Sequence, residues 1–418
     1  MISTDLNEFP LVLTDMNTNN MTTEILIIGG GIAGTSTAYF LSQAGHEVTL
    51  LERSEIASEA SGLNAGTLWQ IGWGTSPDLS TTLSMGVVEI FEMLQTDLGY
   101  DVEFRQSGAL KAIQTEEQLD FLQKEVQLLK SQGFSVEILS TRDAQYIEPE
   151  LSSALLGCLN YPLGGSANPI KATQALAHAA QKLGARLFTH HEVSSIEYLD
   201  NTCYKVVTSN GIFQTQTLVL AAGPWCRDIG SMLNLDIPVF SVRGQMWSTG
   251  PVPTRLFHAL GAAESTLYWH RNPYSTKDTP SELTHRDNIR LTRHLYGRQT
   301  RDGEIIFGGD RQLTDSKTPD EAGIEANRNH VIEIFPFLRQ FPIKRTWAGL
   351  MPFTSNLEPI IGKIPQYENL YIVTGLSSSG FEQGPMSGKL LAEYIHSGQA
   401  STILSSANPI QQVTHLAL

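Results

Sequence analysis

Four near-continuous apolar runs break the chain into sections: Ile25–Ile28, Val48–Leu51, Thr217–Ala222 and Leu370–Thr374. Three of them end at a glycine and the second ends at Glu52. A run without polar alternation buries both of its faces, which predicts strands of a parallel sheet covered on both sides. Other segments repeat near the helical period. In Pro169–Leu183 the residues Ile170, Leu176, Ala177 and Ala180 share an inner face, and Gly184 is the stop. Helices are also predicted over Leu83–Leu98, over Glu116–Gln132 with Gly133 as its end, over Glu382–Ile395, and briefly from Thr141 until Pro149. Strands are predicted over Phe104–Ile113, Ala185–Phe188, Val193–Tyr198 and Tyr204–Thr208. From Pro238 to about Thr346 strand-like pieces alternate with polar loops, a texture that predicts a separate antiparallel sheet. Tyr268, Trp269 and His270 fall in one of its apolar strands, just before a polar insertion near residues 272–290.

The first two apolar runs frame a glycine turn. Gly29, Gly31 and Gly34 fit G-x-G-x-x-G, with a strand before them and a helix after them whose inner face holds Ala33, Ala38 and Leu41. Gly45 ends that helix, and the second strand stops at Glu52. This is a complete βαβ unit for a cofactor containing ADP. Gly29 permits the tight turn, Gly31 the approach of a pyrophosphate, and Gly34 close packing of helix on strand. The N–H groups at the helix start attract phosphate, and Glu52 can accept hydrogen bonds from ribose hydroxyls. The motif alone does not separate FAD from NAD.

Composition narrows the partners. A net charge of −15 over 418 residues gives no footprint for nucleic acid or an anionic membrane. No apolar run reaches the length of a membrane span. Cys158, Cys203 and Cys226 are odd in number and lack metal spacing, which points to a reducing setting, taken as cytoplasmic, or to plain core residues, rather than a disulfide framework. His190 and His191 lack a third ligand nearby, so no metal site is expected.

Several further blocks, in order, resemble the D-amino-acid oxidase-like superfamily of FAD-dependent oxidoreductases. They are Ala60–Gly66, Leu218–Trp225, Val242–Gln245, Asp302–Gly309, Trp347–Thr354, Pro359–Gly362 and Thr374–Phe381. The resemblance spans about residues 24–396. It implies an α/β fold: a Rossmann-like FAD-binding domain with an interleaved α+β substrate domain built on an antiparallel sheet. The FAD-binding domain would take residues 22–90, 160–238 and 345–402, and the substrate domain 91–159 and 239–344. Residues 1–21 would be an N-terminal extension and 403–418 a C-terminal tail.

The cofactor implied is FAD, held without a covalent bond, since no cysteine lies in the Trp347 block. Its expected contacts begin at Gly29, Gly31, Ile32, Ala33, Gly34, Glu52 and Arg53. The loop along the pyrophosphate and flavin adds Ser61, Asn64, Ala65 and Gly66, and the strand at Val193 meets the adenine. Ala222, Gly223 and Trp225 follow, then Gly349 and Met351. The loop that meets the flavin pyrimidine supplies Gly375, Ser379, Gly380, Phe381 and Gln383. The start of the helix at Glu382 would set its partial positive charge beside the flavin N1–C2=O edge.

The activity implied is oxidation of the C–N bond of an amine or amino acid, by hydride transfer to flavin N5, giving an imine that hydrolyses. Oxygen or an electron carrier would be the final acceptor. In members with a glycine-oxidase-like site, the block that opens Trp-x-Gly continues with an arginine that binds the substrate carboxylate. Met351 stands there in this chain, which shifts weight toward an amine, or toward a carboxylate held elsewhere. Arg298 is one candidate replacement, and Tyr296 is expected over the flavin. With Met351 these two are the candidate catalytic residues. Strand alternation puts His294, Tyr296 and Arg298 on one face. Trp69 is a candidate for the substrate side, and Arg243 reads as structural. Two other readings stay open: an FAD-dependent 2-hydroxy-acid dehydrogenase, and a non-catalytic FAD-binding assembly factor.

Overall fold

The computed structural model describes residues 20–70, 77–199, 202–271 and 279–416. The N-terminal extension up to residue 19 and the first part of the polar insertion, residues 272–278, lie outside the described residues.

The apolar runs assemble as their lack of alternation requires. One sheet runs Ile360–Lys363, Leu370–Thr374, Gly211–Leu220, Met21–Ile28, Val48–Leu51, Arg186–Phe188. Met21–Ile28 sits between two parallel partners, with Leu26 opposite Leu218 on one side and Ile25 opposite Val48 on the other. Successive residues go to opposite faces. Ile25 and Ile27 join a core with Ala38, Leu41, Leu176 and Leu391, which come from the helices Ile32–Gln43, Pro169–Lys182 and Gly380–Ser397. Leu26 and Ile28 join a second core with Tyr204, Phe213 and Ile229. That face is roofed by the antiparallel strands Val193–Leu199 and Cys203–Thr208 and the helix Cys226–Ser231. Both faces of the sheet are therefore dry, which is why its strands carry no polar alternation.

A second sheet runs Arg345–Phe353, Phe240–Pro251, Glu304–Leu313, Tyr296–Gln299, Ala259–Ala262, Ala109–Ile113, Gly157–Tyr161, Glu137–Leu139. Its pairs are antiparallel except that Ala259–Ala262 lies parallel to Ala109–Ala112. Trp247, Ile305 and Phe307 point to one face and pack with Ile324, Val331 and Phe335. Met246 and Ile306 point to the other and pack on Ala65. The strand Arg345–Phe353 pairs with Phe240–Pro251, so the chain returns to the first sheet after Phe353 rather than at residue 345.

Three elements differ from expectation. Tyr268, Trp269 and His270 end a helix, Glu264–His270, not a strand. A short apolar run does not fix its own period. Here Trp269 Nε1 donates to the Leu283 carbonyl at 2.8 Å, a bond that ties the helix to the strand region beyond it. The strand expected from Phe104 starts only at Ala109, because Glu103 and Gly108 both take positive φ and turn the chain. The helix expected from Leu83 begins at Pro77 and is regular to Glu92, where a wider π turn, Met93–Asp97, takes over. No helix among the described residues is long and apolar enough to cross a membrane.

Candidate active site

The glycine turn does what its spacing implies. Gly29 has φ +120° and donates to the Leu51 carbonyl at 2.8 Å. A Cβ at Gly34 would stand 2.1 Å from the Gly29 carbonyl oxygen, so only glycine lets the helix sit this close to the strand. The helix Ile32–Gln43 has no acid in its first turn, and its N-cap, Gly31, has no side chain to cap it. Its positive end therefore faces the space in front of Gly31. Glu52 closes the other side of the turn. Its carboxylate accepts from Gly30 N and Ser54 N, each at 2.8 Å. Burial pushes its pKa up, and these two bonds pull against that rise.

The loop Ala60–Gly66 is fastened from several directions. Ser61 Oγ accepts from Ile32 N at 2.9 Å, and Asn64 Oδ1 accepts from Gly66 N at 2.8 Å. Trp347 Nε1 donates to the Leu63 carbonyl at 2.8 Å. Arg298 adds a further tie: Nε donates to the Ala65 carbonyl and Nη2 to the Ala167 carbonyl at 3.1 Å. Burial pushes its pKa down to about 10, which leaves it charged at neutral pH.

A cavity of about 370 Å³ runs between the two sheets. One end is walled by Arg53, Val193 and Trp225, with the Arg53 guanidinium 3.7 Å from the centre of the Trp225 ring. The middle passes Gly29, Gly31, Ile32, Ala33, Glu52, Ser61, Asn64, Ala222 and Gly223. Met351, Ser379, Gly380, Phe381 and Glu382 follow. The far end is a compartment walled by Trp69, Lys111, Trp269, Glu282, His294, Tyr296 and Arg311.

Most of the residues singled out from sequence thus meet on one wall. Gly34 packs behind it. Ala65 and Gly66 sit in the loop but off the wall; Gly349, in the strand Arg345–Phe353, and Gly375, just after Leu370–Thr374, are off it too. Gln383 points away, donating to Ser80 and Ser84 at 3.1 and 3.3 Å. Arg298 is a correction: it shares a strand with Tyr296, but it clasps the carbonyls of two loops and does not reach the cavity. Arg243 donates to the Thr318 carbonyl and to Gln312, each at 2.7 Å, a structural position as expected.

The wall residues not singled out include Lys111, Glu282, Arg311 and Glu382. Lys111 had a signal, a lone lysine inside the apolar strand Ala109–Ile113. Arg311 also had one, since it lies two residues beyond Gly309 and so shares its face. Glu282 sits in a short connection, where no periodicity could point to it.

Glu382 lies in the first turn of the helix Gly380–Ser397. It accepts from Trp69 N at 3.0 Å and from Gln70 N, and burial pushes its pKa up to about 8. This helix end therefore brings a carboxylic acid to the cavity, not only a bare dipole. In the far compartment Arg311 Nη1 donates to Glu282 at 2.7 Å and Nη2 to His294 Nε2 at 3.1 Å. Arginine cannot accept, so His294 Nε2 is the acceptor and its Nδ1–H donates to Ser265 Oγ at 2.6 Å. Burial and the nearby Arg311 hold the His294 pKa well below its usual value, which keeps the ring neutral.

Comparison with known proteins decides the lineage. Residues 24–394 match the DAO family of FAD dependent oxidoreductases. The chain belongs to this family. Among its relatives, the glycine oxidase of Geobacillus kaustophilus is 25% identical over 89% of this chain and 92% of its own length. A D-amino acid dehydrogenase of Bradyrhizobium diazoefficiens is 26% identical over 94% and 99%. The crystal structure of L-proline dehydrogenase from P. horikoshii superposes with a TM-score of 0.80 at 26% identity, covering 94% of this chain and 98% of that one. The protein is an FAD-dependent oxidoreductase of amines or amino acids. The residues present fit the cofactor. A helix start whose N-cap is a glycine, with no acid in its first turn, and a buried carboxylate lie on one continuous cavity, and none of the three free cysteines is on its wall.

Proposed function

We propose that this protein oxidises the carbon next to nitrogen in a small amine or amino acid, releasing an imine that hydrolyses to a carbonyl compound and ammonia or an amine. FAD bound in the cavity supplies a two-electron acceptor for the hydride leaving that carbon. The backbone around Gly29, Gly31, Ile32 and Ala33 would hold its pyrophosphate at the helix start. Glu52 would take the ribose hydroxyls, and Val193 and Trp225 would flank the adenine. Ser61, Asn64, Ser379, Gly380 and Phe381 would shape the floor under the reacting ring. Tyr296, Trp69 and Trp269 wall the far compartment, and over a bound flavin they would limit the water reaching the reacting carbon. His294, held neutral, adds no charge to the two basic side chains of that compartment, Lys111 and Arg311.

The observation that carries this reading is the single cavity joining an anion-ready helix start to an aromatic compartment. Product analysis tests it. Ammonia or an amine appearing in step with substrate loss supports it; a keto acid formed from a hydroxy acid without ammonia sinks it.

A further inference from the structure

Two basic side chains, Lys111 and Arg311, wall the far compartment, and Arg311 alone brings a forked guanidinium there. It enters from the strand Glu304–Leu313, and its backbone N donates to Thr284 Oγ1 at 2.7 Å, which fixes its base. Its guanidinium is braced on three sides. Nη1 meets Glu282, Nη2 meets His294, and one face lies 4.7 Å from the centre of the Trp269 ring. The side chains of Arg311 and Glu282 are each only 7% exposed. A charge this deep needs a partner, and Glu282 supplies it. The two bonds use only part of the guanidinium's donor fork, which matches a carboxylate in two-point contact. The same Glu282 oxygen accepts from Ser378 Oγ at 3.1 Å, so Glu282 spans from Arg311 to the Ser377–Ser379 turn.

Resting on the reaction proposed above, we infer that Arg311 is the carboxylate anchor of the substrate site and Glu282 its partner in the empty state. The substrate class is therefore an amino acid: the carboxylate meets Arg311, and the amine lies toward Glu282. The arginine missing at Met351 is replaced from a different strand, with no contribution from Arg298. A neutral His294 strengthens the assignment, because it accepts from the guanidinium and orients it without competing for the anion.

The probes are benzoate, benzylamine and benzamide, which share one ring and differ in charge. Each is titrated into the oxidised holoprotein while the flavin absorbance is followed. Benzoate perturbs the spectrum at lower concentration than the other two. Arg311→Met, checked for full FAD content, raises the benzoate Kd about tenfold or more, the scale of a lost charge-assisted pair. Glu282→Gln removes the competing carboxylate and lowers it several-fold. A benzoate Kd unchanged in Arg311→Met, or unchanged or raised in Glu282→Gln, overturns the anchor; the second variant decides if the first does not fold. A holoprotein reduced by amines but blind to benzoate would also overturn the anchor and leave the reaction standing. A holoprotein that binds benzoate through Arg311 but is reduced by no amine or amino acid would overturn the reaction alone.

Discussion

Single residues account for the sharpest expectations. Gly31 faces the cavity with only Ser61 Oγ near a hypothetical Cβ, at 3.0 Å, so a larger side chain would fill the space in front of the helix start. Gly31→Val is expected to abolish FAD binding, read as loss of flavin absorbance in the purified protein; a stoichiometrically yellow variant would contradict this. Glu52 accepts two backbone N–H groups besides any ribose contact. Glu52→Ala is expected to weaken FAD by about 1–3 kcal/mol, measured by equilibrium titration of the apoprotein. Unchanged affinity would remove Glu52 from the site. Glu382 gives a pH dependence. Its folded pKa, about 8, stands above the ordinary 4.5, so between these values the folded state binds the extra proton. Stability then falls as pH rises through that window. Urea denaturation at several pH values should show the fall in the wild type and a flatter profile in Glu382→Gln; parallel profiles would refute the assignment.

At the level of elements, what the sequence shows depends on whether a pattern is local. The strands of the first sheet were legible because burial on both faces leaves no polar residue inside them, and Pro169–Lys182 because its period and stop agree. The helix Glu264–His270 was not, since its seven residues are too few to show a period and its ties, such as the bond from Trp269 to the Leu283 carbonyl, are non-local. Arg298 shows the same limit at the site. Alternation gave its face, but only the fold reveals that two loop carbonyls occupy that face first. Arg298→Met leaves the Ala65 and Ala167 carbonyls without these donors, and a loss of about 1–3 kcal/mol in unfolding free energy is expected. The KM for substrate should stay near the wild-type value in the fraction that retains FAD. A large rise in KM with intact stability would return Arg298 to the substrate site.

Over the whole molecule, the cofactor half was far more legible than the substrate half. The glycine turn, Glu52 and the later glycine blocks are short motifs whose spacing carries their chemistry. The far compartment gathers Lys111, Glu282, His294 and Arg311 from the second sheet and its connections, and no two of them share a strand or helix. The reaction proposed for that compartment is the oxidation of an amine-bearing substrate. Anaerobic titration of the purified holoprotein with amines, D- and L-amino acids, N-methyl amino acids and hydroxy acids tests it most directly. Bleaching of the oxidised flavin band by an amino acid, with none by the matched hydroxy acid, is the predicted result. Bleaching by hydroxy acids alone, or a yellow protein that no member of the panel reduces, would contradict it.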